Sequence, residues 1–276
     1  MTLFRSLAVA GWALRSAARQ AAKPALWIPF LLIAALQILG LEAILGFCRP
    51  GISTVALPLV RWVGGDAATH FPTFYVALPV IFARWDLVLG VVVASLTTGA
   101  AAALFARAYG QTAPGAWSTA ARRYFPLTGV ALVAALLSLV VFVLGNQVLQ
   151  QVMADRALRW TARLGMMAVF VVVESFLVYA SVGIVLEGWG FLGSIRHSAG
   201  VAAALFVPTV VLVGLPVFLV FPLDYLAECS NLFLTKLRPE LMTGVLFLKI
   251  AAELVLTFLL VGAVTRVYLW RCREER

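Results

Sequence analysis

The stretch VLFLKIAAELVLTFLL, residues 245–260, is hydrocarbon except for Lys249 and Glu253. About 20 consecutive apolar residues cover the ~30 Å hydrocarbon core of a bilayer as an α-helix. The run extends over residues 241–270 and reads as a membrane span that carries two charges.

Composition supports a lipid solvent. The 276 residues are 63% hydrophobic and 12% charged, with a mean hydropathy of +1.02. A soluble domain has roughly 45–50% apolar and 25% charged residues. Six segments have the length to cross: residues 24–47, 87–108, 126–149, 164–187, 201–222 and 241–270. Backbone groups in lipid must bond within their own segment, so each is expected to be helical. The fold expected is an all-α polytopic membrane helix bundle. It has about six transmembrane helices and short interfacial or re-entrant helices, in a single integral membrane domain.

Residues 1–23 read as an amphipathic N-terminal helix. The first long apolar run, from Pro24 to Cys48, exceeds the ~7–15 residues of a cleaved signal core, so it reads as a retained span. Residues 49–86 read as an outer interfacial or re-entrant region. Its apolar stretches 52–63 and 74–83 are short and each contains a proline. A competing reading starts the second span near Phe71, which puts Arg84 and Asp86 inside it.

The net charge is +9. Lys and Arg sit at span ends, which points to anionic lipid headgroups and away from nucleic acid. With the N-terminus cytoplasmic, twelve basic residues fall on that side and eight on the other. Both termini are therefore expected inside, in a bacterial cytoplasmic membrane.

Three similar segments lead into the odd-numbered spans: LRSAARQAAKP (14–24), WSTAARRYFP (117–126) and FLGSIRHSAG (191–200). Each begins with Leu14, Trp117 or Phe191 and has Arg19, Arg122 or Arg196 five positions later. An amphipathic helix in the headgroup zone fits that pattern, with each Arg a candidate headgroup contact. The unit is then an interfacial helix plus a transmembrane hairpin, used three times. An ordinary series of basic cytoplasmic loops remains the alternative.

Residues 179–212 combine an apolar span, Glu187-Gly188, a short helix with Ser194, Arg196 and Ser198, and another span. In this they resemble an uncharacterised bacterial polytopic membrane-domain group that includes the membrane region of glycerophosphodiester phosphodiesterases. The catalytic domain of those enzymes has no counterpart in this sequence. The resemblance implies architecture and no activity.

Glu174, Lys249 and Glu253 fall well inside the spans, while Glu42 lies near a span end. A lone charge at mid-bilayer costs at least ~2.5–3.5 kcal/mol, so these groups are expected to face protein or water. Lys249 and Glu253 share a helix face. Glu174 is expected in the same layer, completing a polar seam. Either the seam fixes helix packing or it is a proton or cation site. Pro208 and Pro216 are candidate helix kinks, since an internal proline removes a backbone bond.

No catalytic motif, metal-ligand cluster or cofactor signature occurs. His70 reads as a loop residue and His197 as interfacial. Cys48 and Cys229 fall at outer span ends and either pair or stay free. The leading functional expectation is a non-enzymatic scaffold, accessory subunit or lipid-associated factor, with a membrane-protein partner or a second copy. The alternatives are a small secondary or proton-coupled carrier, and a lipid-modifying enzyme. A polar cavity reaching Glu174 favours transport, a dry bundle the scaffold, and a lipid-sized groove with convergent polar groups the enzyme.

Overall fold

Six long apolar helices dominate the computed structural model, which describes residues 3–111, 115–151, 156–229, 236 and 238–274. No strand occurs among them. Arg276, one of the twelve basic residues counted on the cytoplasmic side, lies outside the described residues.

Helix α1 spans Leu3–Gln20, α2 Ile28–Leu45 and α3 Ser53–Gly64. Helices α4 (Thr73–Leu89) and α5 (Ser95–Ala108) join through a π-helical turn at Gly90–Ala94, making one 36-residue helix. The outer region is thereby corrected. Helix α3 and a 3-10 turn at Asp66–Thr69 are its separate short elements, and the second span begins at Thr73. Pro79 lies inside α4. Arg84 and Asp86 stay helical, because Arg84 stacks over Trp62 of α3 at 5.0 Å and Asp86 finds partners described below.

Next come α6 (Ala116–Arg122), α7 (Tyr124–Gln151), α8 (Arg156–Leu177) and α9 (Ala180–Glu187). Then follow α10 (Phe191–Ala204), α11 (Phe206–Glu228) and α12 (Leu241–Glu274). The fifth span is α11, so residues 201–204, read as its start, close the short α10 instead.

Helices α8 and α9 form one span with a break at Val178 and Tyr179. Backbone groups freed inside a bilayer need partners. Ser198 of α10 supplies them: its hydroxyl donates to the Phe176 carbonyl at 2.7 Å and accepts from the Tyr179 N–H at 3.2 Å. The π turn is patched likewise, with the Val92 carbonyl accepting from Ser95 and Tyr124 hydroxyls.

The order of elements is a short helix and two spans, three times. Each first span packs on the second span of its own unit: α2 on α4–α5, α7 on α8, and α11 on α12. Each also packs on the second span of the preceding unit: α7 on α5, α11 on α8, and α2 on α12. The short helices obey the same rule, with α6 on α5, α10 on α8–α9, and α1 on α12. The spans therefore close a ring in which the first unit docks on the third.

Small residues permit that approach. Ala17, Ala120 and Ser194 stand at one register, three positions after Leu14, Trp117 and Phe191, and all three are buried. Ala17 sits against Gly262 of α12, where an added Cβ would meet it at 2.9 Å. Arg19, Arg122 and Arg196, two positions further on, are exposed. On α7 only Leu127 and Val130 are buried, and Leu136, Val140, Phe142 and Leu144 are exposed. That face requires an apolar surrounding, which lipid provides.

Candidate functional site

Four helices bring a polar layer into the bundle. On α12, Lys249 and Glu253 lie one turn apart on a common face. The Lys249 Nζ is 2.7 Å from Asp224 Oδ1 of α11 and 3.6 Å from Glu253 Oε1. On α2, the buried Gln37 extends the layer. Its Nε2 donates to Asp86 Oδ1 of α4 at 2.7 Å and to Glu253 Oε2 at 3.4 Å. Both amide protons are thus directed at carboxylates, which fixes the amide's orientation.

Three carboxylates, Asp86, Asp224 and Glu253, therefore stand against a single ammonium. Coulomb attraction at these separations is strong where water is scarce, but it leaves excess negative charge unneutralised. The layer is net negative unless protons or cations join it. Asp86, Asp224, Glu253 and Gln37 line a cavity of about 410 Å³, together with Thr97, Thr98 and Thr257. Phe30, Phe170, Pro216 and Leu256 form part of its apolar wall.

Glu174 is not in the Lys249 network. Its described partner is Ser138 of α7, whose single hydroxyl proton is shared between Glu174 Oε1 at 3.0 Å and the Ala134 carbonyl at 2.8 Å. The seam expected to join Glu174, Lys249 and Glu253 is corrected to two sites, because Glu174 bonds to Ser138 of α7 while Lys249 and Glu253 bond to Asp224 and Gln37. Glu174 and Glu253 each stand nine residues before a glycine, Gly183 and Gly262. In the first unit, Gly90 holds the corresponding place before Gly99, with Asp86 one turn earlier. The acids thus occupy related positions in the three second spans.

Glu174 lines a second cavity of about 260 Å³ with Ser95, Thr98, Ser181 and Thr257. The two cavities share Gly90, Ala94, Thr98 and Thr257 as walls. The π turn that supplies Gly90 and Ala94 lies between the carboxylate layer and Glu174. Single π turns inside α-helices often accompany functional sites.

Pro208 lies in the first turn of α11, where the missing N–H has no intrahelical role, so it begins a helix and does not kink one. Pro216 lies inside α11 and frees the Leu212 carbonyl. Cys48, Cys229 and Cys272 form no disulfide among the described residues. His70 is an exposed residue ending a 3-10 turn. His197 packs between Trp189 at 4.2 Å and Tyr268 at 5.9 Å. Glu42 is exposed.

At the end of the bundle that holds α1, Arg266 of α12 lies over Trp12 at 4.9 Å and Tyr109 at 5.0 Å. Burial pushes the Tyr109 hydroxyl up to about 12, while Ser16 and Arg266 pull it down. It stays a neutral donor, bonded to the Gly262 carbonyl at 3.1 Å.

Gln37, Asp86 and Asp224 are the residues sequence reading missed. Asp86 and Asp224 lay one and two residues outside the expected span limits. Their signal was placement beside a long apolar run with no glycine or polar stretch to end it. Gln37, a polar residue between Leu36 and Ile38 in a span, was legible as a group needing a partner.

No family model, curated protein or solved structure matches this chain. It is an integral membrane protein by its six spans.

Proposed function

We propose that this protein is a small carrier whose intramembrane carboxylates bind protons or a small cation. One observation carries the reading: Asp86, Asp224 and Glu253, the last two paired with Lys249, line a cavity that adjoins the cavity of Glu174. A bundle needing only internal glue would balance its buried charges, since uncompensated charge is expensive. Here Lys249 is a tethered cation engaged by Asp224 and Glu253. Asp86 and Glu253, bridged by Gln37, form the mouthpiece for an arriving cation or proton. Glu174 is a second carboxylate station beyond the π turn. The charge bias of its loops supports an orientation with both termini inside, and a bacterial cytoplasmic membrane is part of the same proposal.

The test is flux into liposomes holding the purified chain and a pH-sensitive dye. An imposed gradient of Na⁺, K⁺ or an organic ammonium is expected to move protons. Asp86→Asn and Glu253→Gln are expected to abolish that signal while the protein stays monodisperse. Unchanged flux in both variants removes the reading.

A second reading, a membrane scaffold or accessory subunit, is favoured by the broad apolar face of α7. It predicts no flux with any cation, and a stable complex lost when that face is made polar.

A further inference from the structure

A separate cavity of about 610 Å³ lies between α10 and the C-terminal turns of α12, away from the carboxylates. Arg196 and His197 of α10, Arg271 of α12 and Trp189 line it. The His197 Nε2 is buried and has no hydrogen-bond partner among the described residues. The ring is held in place by stacking on Trp189. Trp189 is anchored in turn, its indole N–H donating to Glu187. That carboxylate also accepts from Cys272 at 3.5 Å. Among the described residues, the lining contains two guanidinium groups, one imidazole and no carboxylate.

Gly193, Gly200 and Ala204 continue the lining along one face of α10. Nothing stands within 4 Å of a Cβ placed on Gly200. A charged head and an open, side-chain-poor trough beside it have the shape of an amphiphilic anion. Guanidinium pairs bind phosphate oxygens through charge-assisted, often bidentate hydrogen bonds. A buried imidazole nitrogen without a protein partner needs a ligand or water to satisfy it.

We propose that this cavity binds a phosphate ester. Arg196 and Arg271 clamp the phosphate, His197 completes its hydrogen bonds, and the ester's apolar part runs along Gly200 and Ala204. A phospholipid headgroup and a water-soluble phosphate ester share this chemistry, and the trough favours the lipid.

The experiment uses the full chain in neutral detergent, with native mass spectrometry after mixing with phosphatidylglycerol or with diacylglycerol, which has no phosphate. Phosphatidylglycerol is expected to be retained at least about tenfold better, and Arg196→Gln with Arg271→Gln is expected to erase that preference. Monodisperse elution checks folding. Gly200→Leu with Ala204→Phe keeps the charges and fills the trough. It is expected to lose the lipid but still bind glycerol phosphate. Glycerol phosphate bound by the unaltered chain with no lipid retained upholds the site and assigns it a water-soluble ligand. Equal retention of both lipids, or full retention of phosphatidylglycerol by the double arginine variant, overturns the proposal.

Discussion

Lys249 of α12 reaches Asp224 of α11 at 2.7 Å, so the tightest ion pair of the polar layer joins two different helices of one hairpin. Its other contact, Glu253, lies on its own helix at 3.6 Å. Removing the ammonium leaves two partly exposed carboxylates, Asp224 and Glu253, without their cation.

Lys249→Met is therefore expected to reduce the yield of folded protein, by less than the ~3–5 kcal/mol of a fully buried pair, because Asp224 is 45% exposed. Lys249→Met combined with Asp224→Leu and Glu253→Gln is expected to recover part of it. Fluorescence-detected size exclusion after detergent extraction compares them. A combined variant worse than the single one contradicts the account.

Gly40 of α2 leaves space for the indole of Trp85. A Cβ there would fall on the indole ring, nearest Nε1. Gly40→Ala is expected to displace Trp85 and with it the neighbouring Asp86, lowering stability by about 1–3 kcal/mol. Trp85→Leu in the same chain is expected to restore part of the loss. Melting of the detergent-solubilised protein reads both.

Gln37 serves two carboxylates with one nitrogen. Gln37→Leu is expected to cost about 1–3 kcal/mol, the penalty for leaving a buried polar group unpaired. Gln37→Glu adds another acid to an already negative layer and is expected to be the more damaging change. Thermal melts that rank them the other way refute the assignment of Gln37 as a donor bridge.

Glu174 accepts from Ser138 and lies outside the Lys249 network. Glu174→Gln keeps an acceptor oxygen and is expected to leave the melting temperature within a few degrees. On the carrier reading it abolishes or slows proton-coupled flux. Collapse of the fold in this variant shows a structural role instead.

The topology has a direct check. In a chain with Cys48, Cys229 and Cys272 replaced by serine, single cysteines are placed at Gly65 and Gly115. Both positions are described and lie outside the spans. An impermeant thiol reagent applied to whole cells is expected to label the first and miss the second.

The helical class and the six crossings were legible because a bilayer leaves the backbone few options. The ends of the crossings were less legible, and the site depended on them. Arg84 and Asp86 look like the edge of a span only while their partners are unknown. Trp62 and Gln37 let them sit inside one. Glu253 and Lys249 revealed their own pairing through helical spacing. The third carboxylate, Asp224, came from a neighbouring helix that spacing within α12 could not identify. Glu174 looked like a member of the same layer because depth along a helix does not tell which neighbour faces it. Ser194 and Ser198 were read within a headgroup helix. Their burial, and the patch Ser198 lays over the break before α9, follow from packing alone.

The closed order of packing has a consequence for biosynthesis. Helix α1 leaves the ribosome early, yet its main partner, α12, is made after every other described helix. Until then Trp12 has no Arg266 to cover, and the stripe Ala10, Ala13 and Ala17 lacks the α12 face that buries it. The first unit must wait in the membrane, half-built, while the second and third are threaded in behind it. Assembly finishes by a docking step across the whole length of the chain, and not by adding one hairpin to the next. A nascent chain stopped before Leu241 would hold several inserted helices and still have an unsealed flank, which is where membrane quality-control proteases would find it.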